Sequence, residues 1–411
     1  MQIQYHYLKP SGHTGSGKPV VLIFNDYFCP AFKGGGPVRS LANLITHLNE
    51  EFDFYVVCRT HDLGETGQLA GIRPGEWQDW ENKCKVFYWD ANISRFATLI
   101  QIARQVQPDI VYINGIFSFY FNLMPLLLLQ RKTVIAPRGM LFDKALASKA
   151  FKKRLYLLFF KGIVWFKDIT WQANEQKERM AIRKVISLNA RVRVADNIPS
   201  AHPDDDGQVI EKKKNVLRVV YLSLITAHKN LHLILEAIKQ FEHNPVKIEF
   251  DIFGPIKDPQ YWKRCLPLLD SLQGNIKAQY MGPVSPSLAI GTISRYHALV
   301  LPSNSENFGH AIYETLLAKR PVITSNFTPW KDLETKQAGW NVDIHNEAPL
   351  KLLFEKLLAF DQEQYDPFCK GASALALQFL QSANFEHQYK NLFSGNADAA
   401  YGTPIPSPIF S

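Results

Sequence analysis

Short apolar, β-branched runs alternate with helix-period segments along nearly the whole chain. The first strand candidates are V-V-L-I-F from Val20, F-D-F-Y-V-V from Phe52, V-F-Y-W from Val86, I-V-Y-I from Ile110, T-V-I-A from Thr133 and R-V-R-V from Arg191. Helical patterns at 38–48 and 97–106 separate them. A second series follows: R-V-V-Y-L-S from Arg218, K-I-E-F-D-I-F from Lys247, A-Q-Y-M from Ala278, A-L-V-L-P from Ala298 and P-V-I-T from Pro321, with helices at 231–241, 261–272 and 310–318. Strands this uniformly apolar, each followed by a helix, predict parallel sheets covered on both faces.

Between the two series lies a polar stretch, 200–215, with Pro203, three aspartates and three lysines. It reads as a linker. The pattern therefore predicts an α/β chain of two doubly wound, Rossmann-like parallel-sheet domains facing across a cleft. The first covers 1–197, the linker 198–216 and the second domain 217–393. The small, Pro-rich residues 394–411 are expected to be a disordered tail. Such sheets bind ligands outside the carboxyl ends of their strands, at helix N-termini.

Composition narrows the class. With 46% hydrophobic and 20% charged residues in 411, wholesale disorder and fibrous architectures are excluded. Five cysteines without a C-x-x-C pair argue against a disulfide scaffold or zinc ribbon and fit a reducing compartment. Residues 110–130 carry no charge, but Asn114, Gly115, Ser118, Asn122 and Pro125 interrupt them, so they read as a buried strand and buried helix rather than a membrane span. The N-terminus lacks a signal-peptide pattern, and the expected location is cytoplasmic.

The net charge of +8 is uneven: residues 1–196 hold 26 Lys+Arg against 16 Asp+Glu, and the remainder 20 against 22. One half thus suits a polyanion or an anionic bilayer. The densest stretch, 144–167, carries Lys144, Lys149, Lys152, Lys153, Arg154, Lys161 and Lys167 with no acidic residue, among Leu, Phe and Trp. It fits either a helix lying in a headgroup layer or a core helix with a solvated basic face.

Three patterns imitate chemistry. G-H-T-G-S-G-K at Gly12 resembles a phosphate loop, yet Pro19 stands where a metal-binding hydroxyl belongs and a strand follows. Asp204-Asp205-Asp206 sits in the linker as a solvated acidic run, and His228 with His232 lacks further ligands. No metal site and no cofactor is expected.

Two patterns carry more. Gly34-Gly35-Gly36-Pro37 follows the first strand and opens a helix, exposing backbone N–H groups at its positive end, with Lys33 and Arg39 beside it. The second, Glu306-Asn307-Phe308-Gly309-His310-Ala311-Ile312-Tyr313-Glu314, follows the strand A-L-V-L-P-S. Its glutamates can accept hydrogen bonds from sugar and ribose hydroxyls, and the amides of Asn307 to His310 can face a diphosphate.

E-N-F-G-H-A-I-Y-E resembles the E-x7-E signature of retaining family-4 (group 1) glycosyltransferases with the GT-B fold. A-P-R-G-M-L at Ala136, H-K-N-L at His228, F-D-I-F-G-P at Phe250 and T-P-W-K-D-L at Thr328 agree with it. The resemblance, closest to members that build bacterial surface polysaccharides, extends from Val20 to Leu392. It implies that Glu314 binds the nucleotide ribose, Glu306 the transferred sugar, and Lys229 the donor diphosphate. Gly34, Gly35 and Gly36 would line the reaction centre, with Asn307, Phe308, Gly309 and His310 on the donor side.

Two positions depart from the pattern. Leu224 stands where the family usually has Arg, leaving Arg39 or Arg138 to replace a phosphate-binding cation. Arg138 also stands where many members have His, which makes it a catalytic candidate. The implied function is metal-independent transfer of a sugar, with retention, from a nucleotide sugar to a lipid-linked saccharide at the anionic inner membrane surface, where Arg39, Lys152, Lys153 and Arg154 serve acceptor or membrane. Nucleic acid is not an expected partner. An inactive scaffold of a polysaccharide assembly complex and a nucleotide-sugar epimerase remain the alternatives.

Overall fold

In the computed structural model, which describes residues 17–90, 97–147, 150–200, 210–382 and 384–394, the apolar runs pair side by side in parallel. The first sheet comprises β1 (Val20–Asn25), β2 (Asp53–Arg59), β3 (Trp77–Trp80), β4 (Cys84–Trp89), β5 (Ile110–Asn114), β6 (Thr133–Ala136), β7 (Ile169–Ala173) and β8 (Val192–Val194). Its order is β3-β4-β2-β1-β5-β6-β7-β8, parallel except for the edge hairpin β3–β4. Central β1 and β5 are buried along their whole length, which is why alternation is absent from their sequences.

The second sheet comprises β9 (Val216–Leu222), β10 (Lys247–Phe253), β11 (Ile276–Gly282), β12 (Ala298–Leu301), β13 (Val322–Ser325) and β14 (Gly339–Val342). Its order, β11-β10-β9-β12-β13-β14, is parallel throughout. The connection reverses direction between β9 and β12, the switch point where dinucleotide-binding sheets open a crevice. At β14, Gly339 (φ 144°) is required, because a Cβ there would lie 1.9 Å from the Val322 carbonyl oxygen.

Two compact units result, and their boundary differs from the one expected. The helix Phe385–Ser394 belongs with the first unit rather than with a second domain reaching 393. Its reason is chemical. Buried Gln172 of β7 donates to the Tyr389 hydroxyl (2.9 Å), which donates to the Asp196 carbonyl (3.1 Å). Phe393 meets Phe52 and Tyr112 edge-on, with centroids 5.2 and 5.6 Å apart.

Part of the expected linker is structural as well. Buried Lys212 donates to the carbonyls of Lys213 (2.8 Å) and Phe360 (2.9 Å) in the second unit, and burial lowers its pKa to about 8. The chain from 201 to 209, including the three aspartates, and the expected tail from 395 lie outside the described residues. None of the described helices is long and apolar enough to cross a membrane; 110–130 forms β5 and then two short helical segments, Phe119–Leu123 and Met124–Leu128.

Replacing Phe393 by Ala removes a buried aromatic and should cost the first unit about 3–5 kcal/mol. Hydrogen exchange should then quicken in β1 and β5 but not in β9 or β12; unchanged protection in β1 and β5 would contradict the assignment of this helix.

Candidate functional site

The loops leaving β9 and β12 flank the switch point of the second sheet and are laced together. After β9, residues Ala227–Lys229 make one 3-10 turn, ending at Asn230 in the left-handed conformation (φ 53°). Asn230 is buried, and its side-chain amide donates to the Pro302 carbonyl (2.9 Å) and to Asn304 Oδ1 (3.3 Å). The Asn304 N–H donates to the His228 carbonyl (2.9 Å), and His228 Nε2 lies 2.9 Å from Ser305 Oγ.

This lacing brings Lys229 and Glu306 into contact. Lys229 Nζ lies 2.5 Å from Glu306 Oε1, and the two side chains keep only 15% and 12% of their exposure. Ser303 Oγ donates to the same carboxylate oxygen at 2.6 Å, fixing its direction. Beneath the loop, buried Tyr221 donates to the Leu224 carbonyl (2.9 Å). Burial first, and the Glu306 carboxylate among the nearby charges, push the Tyr221 hydroxyl far above the usual phenol range, so it stays a donor.

The rest of the predicted motif divides by direction. Asn307 Oδ1 is shielded from solvent without a hydrogen-bond partner. Gly309 (φ 82°) caps the helix His310–Leu317, a turn that an added Cβ would crowd against Ile312 at 3.0 Å. Glu314 is buried on that helix, and its Oε1 accepts from Ser200 Oγ at 3.3 Å.

The Phe308 ring packs inward against Trp330, Tyr313 and Phe379, and Trp330 Nε1 donates to its carbonyl at 2.6 Å. His310 is also buried, its ring 4.9 Å from that of Phe308.

In the first unit, Gly34, Gly35 and Gly36 lie after β1 as predicted. Gly35 (φ 72°) is the N-cap of the helix Gly36–Leu48, and a Cβ on Gly34 would press Val38 at 2.8 Å. Sequence reasoning missed the residue that shapes this loop. Buried Asp62 accepts the N–H groups of Phe32 (2.9 Å), Lys33 (3.1 Å) and Leu63 (2.7 Å). Lys33 pairs with Glu65, and Arg39 is half-buried in the first turns of the helix.

Arg138, expected as a catalytic cation, is committed to the architecture. Its Nε donates to Asn114 Oδ1 (2.6 Å), its Nη1 to Asn174 Oδ1 (3.0 Å) and to Asn197 Oδ1, and its Nη2 to the Tyr112 hydroxyl (2.7 Å). Burial opposes its charge, but Tyr112, Tyr389 and Glu178 outweigh that and hold its pKa above the usual value. Glu178 in turn accepts the Gly139 and Asn174 N–H groups at 2.5 and 2.8 Å. With Tyr389, whose side chain also hydrogen-bonds it, three asparagines and two tyrosines converge on one guanidinium that fastens the loop after β6.

The basic segment forms the helices Asp143–Ala147 and Ala150–Trp165. Lys152 and Arg154 are exposed, as are Phe151 (82%), Leu158 (69%), Phe159 (66%), Trp165 (80%) and Phe166 (85%). Lys153 instead turns inward, donating to the Ala145 carbonyl (2.5 Å) and lying over the Phe117 ring at 5.2 Å.

Other features do not gather into a site. A cavity of about 980 Å³ lined by Lys18, Phe52, Asp109, Lys132 and Lys390 lies at the amino ends of β1 and β5, away from the ligand-binding edge, and its lysines are paired within the fold. Among the described residues, no three His, Cys, Asp or Glu side chains are grouped to hold a metal ion. His232 contacts the Tyr261 hydroxyl at 2.8 Å, and burial lowers its pKa to about 4.

Residues 204–370 match the family of glycosyl transferases group 1. No curated protein matches the sequence. Among solved structures, Anabaena HepE in complex with UDP and glucose superimposes with a TM-score of 0.64 at 13% identity, over 92% of this chain and 100% of that one. WaaG, a glycosyltransferase involved in lipopolysaccharide biosynthesis, gives 0.63 at 13% identity, with coverage of 92% and 100%. Sucrose-phosphate synthase from Thermosynechococcus elongatus gives 0.61 at 15%, with the same coverage. The chain has the GT-B glycosyltransferase fold, and its second unit carries the group 1 match.

Changing Arg138 to Met should strand buried amide and phenol groups and destabilise the first unit by roughly 2–5 kcal/mol. Arg138→Lys should recover only part of this, lacking the planar fork. Thermal unfolding reads both; a Met variant as stable as the parent would return Arg138 to the list of reacting groups.

Proposed function

We propose that this chain, a group 1 glycosyl transferase with the GT-B fold, moves a sugar from a nucleotide-sugar donor to a lipid-linked saccharide with retention of configuration, in the building of a bacterial surface polysaccharide. The observation that carries the reading is the Lys229–Glu306 pair held at the switch point of the second sheet. There an ammonium and a carboxylate stand together at the carboxyl ends of β9 and β12. One suits a diphosphate and the other the hydroxyls of the sugar joined to it. The HepE structures, one in complex with UDP and glucose and one with UDP-glucose, support this donor class.

In the reaction the bond from the anomeric carbon to the phosphate oxygen breaks, and one from that carbon to the acceptor oxygen forms on the same face. Negative charge grows on the departing diphosphate. Lys229 and the N–H groups at the start of the helix His310–Leu317 answer it, in place of a metal ion. The acceptor proton passes to the leaving phosphate oxygen. Glu306, aimed by Ser303, holds the sugar hydroxyls, and Glu314 takes the ribose.

The exposed rings of 151–166, mixed with Lys152, Arg154 and Lys161, support docking at an anionic bilayer. Apolar side chains so far out of the core are explained by an interaction surface. Lys153 has no part in that face, because it is tied to Ala145 and Phe117.

Lys229→Ala and Glu306→Gln should each lower turnover by roughly 100–1000-fold, the scale of losing one preorganised electrostatic contact, while circular dichroism stays that of the parent. Near-parental turnover in both would remove the assignment. In flotation with anionic liposomes at low salt, the protein should rise with the vesicles. Phe151→Ser with Trp165→Ser should leave it at the bottom of the gradient; equal flotation of this variant would exclude the helix as the docking face.

A further inference from the structure

The loop after β10 (254–258) runs against the loop that carries Lys229. The Ser223 N–H donates to the Phe253 carbonyl (3.1 Å), the Ile225 N–H to the Pro255 carbonyl (3.0 Å), and the N–H groups of Lys257 and Asp258 both donate to the Ile225 carbonyl (3.3 and 3.2 Å). Ile225 and Ile256 form an isolated parallel bridge. At Gly254 (φ 140°) the approach is so close that a Cβ would fall 1.8 Å from the Ser223 carbonyl oxygen. The turn bearing Lys229 is therefore held from one side by the loop of β12 and from the other by the loop of β10.

This arrangement sets Lys257 beside the proposed donor site. Among the described residues no carboxylate pairs with it. Its neighbour Asp258 is engaged elsewhere, Oδ1 accepting the Tyr261 N–H (3.0 Å) at the start of the helix Pro259–Asp270. The Lys257 side chain is open to solvent, yet protein crowds its ammonium; this desolvation first, and the like charge of Lys229 second, lower its pKa. Lys229 is paired with Glu306, whereas Lys257 brings to the carboxyl edge of the sheet an ammonium that no described carboxylate pairs with. Such an ammonium, beside a lysine already directed at that edge, suits a ligand with more than one phosphate charge. Leu224 offers no cation there, and Arg138 is engaged in the first unit.

We propose that Lys257 is a second phosphate-binding residue of the donor site, acting with Lys229 on the nucleoside diphosphate and supplying from the loop of β10 the cation that Leu224 does not. The proposal rests on the donor site described above. It makes Lys257 a residue that discriminates diphosphate from monophosphate, because its ammonium is the one of the two that Glu306 does not pair with.

Isothermal titration of the full chain with UDP, ADP and GDP, and with the monophosphate of whichever binds best, tests it. Lys257→Met should weaken the diphosphate by roughly 10- to 100-fold, as for loss of a charge-assisted hydrogen bond, with little change for the monophosphate. Lys257→Arg should recover most of that loss, which a structural defect at this loop would not allow. Parental diphosphate affinity in Lys257→Met, with Lys229→Met impaired, would overturn the role of Lys257 and leave the donor site standing. Parental affinity in both variants, or no binding of any of the three nucleotides by the parent, would overturn both. Loss without recovery by Arg would reduce Lys257 to a structural lysine.

Discussion

The contact between Lys229 and Glu306 is the feature of the second unit on which the proposed chemistry depends. It exists because β9 and β12 are neighbours in space though distant in sequence, so that their outgoing loops meet where the sheet reverses its order. A charge pair kept this dry is held by its surroundings. Ser303 orients the carboxylate, and Asn230, His228 and Asn304 fix the turn that carries the lysine. Removing either charge leaves the other poorly solvated, which is why the pair acts as one unit in the proposed chemistry.

The same principle, a polar group fastening loops at the carboxyl edge, recurs in the first unit with different residues. Asp62 gathers the N–H groups before the glycine loop, and Arg138 gathers asparagine and tyrosine side chains around the loop after β6. Arg138 also hydrogen-bonds the Tyr389 side chain, so the helix Phe385–Ser394 is tied into that network. Glycine enters where backbones approach too closely for any side chain, at Gly254 against Ser223 and at Gly339 against Val322.

Much of this was legible in the sequence, because strands buried on both faces announce themselves as unbroken apolar runs. The runs that went unread have physical reasons. In β7, I-T-W-Q-A, Thr170 and Gln172 break the apolar run, yet both are buried, and Gln172 is paired to Tyr112, Ala195 and Tyr389. In β14, G-W-N-V opens on a glycine that reads as a turn signal but serves a close strand approach. The family resemblance around the E-x7-E stretch implied that Glu306, Glu314 and Lys229 serve one donor, and the structure brings Lys229 and Glu306 into contact. It could not show that Phe308 turns inward, since the ring's direction depends on the left-handed Gly309 and the aromatic cluster behind it. Ser303, three residues before Glu306, was a signal available to a reader looking for a hydroxyl to aim a carboxylate. Lys257 had no local signal: its proposed role comes from the adjacency of β9 and β10.

A crystal structure of the protein with the nucleotide sugar it turns over tests the location of the site most directly. The account predicts the diphosphate within hydrogen-bonding reach of Lys229 Nζ, about 3 Å, and a sugar hydroxyl at the same distance from the Glu306 carboxylate. A donor bound at the amino ends of the strands, or one leaving the Lys229–Glu306 pair untouched, would contradict it.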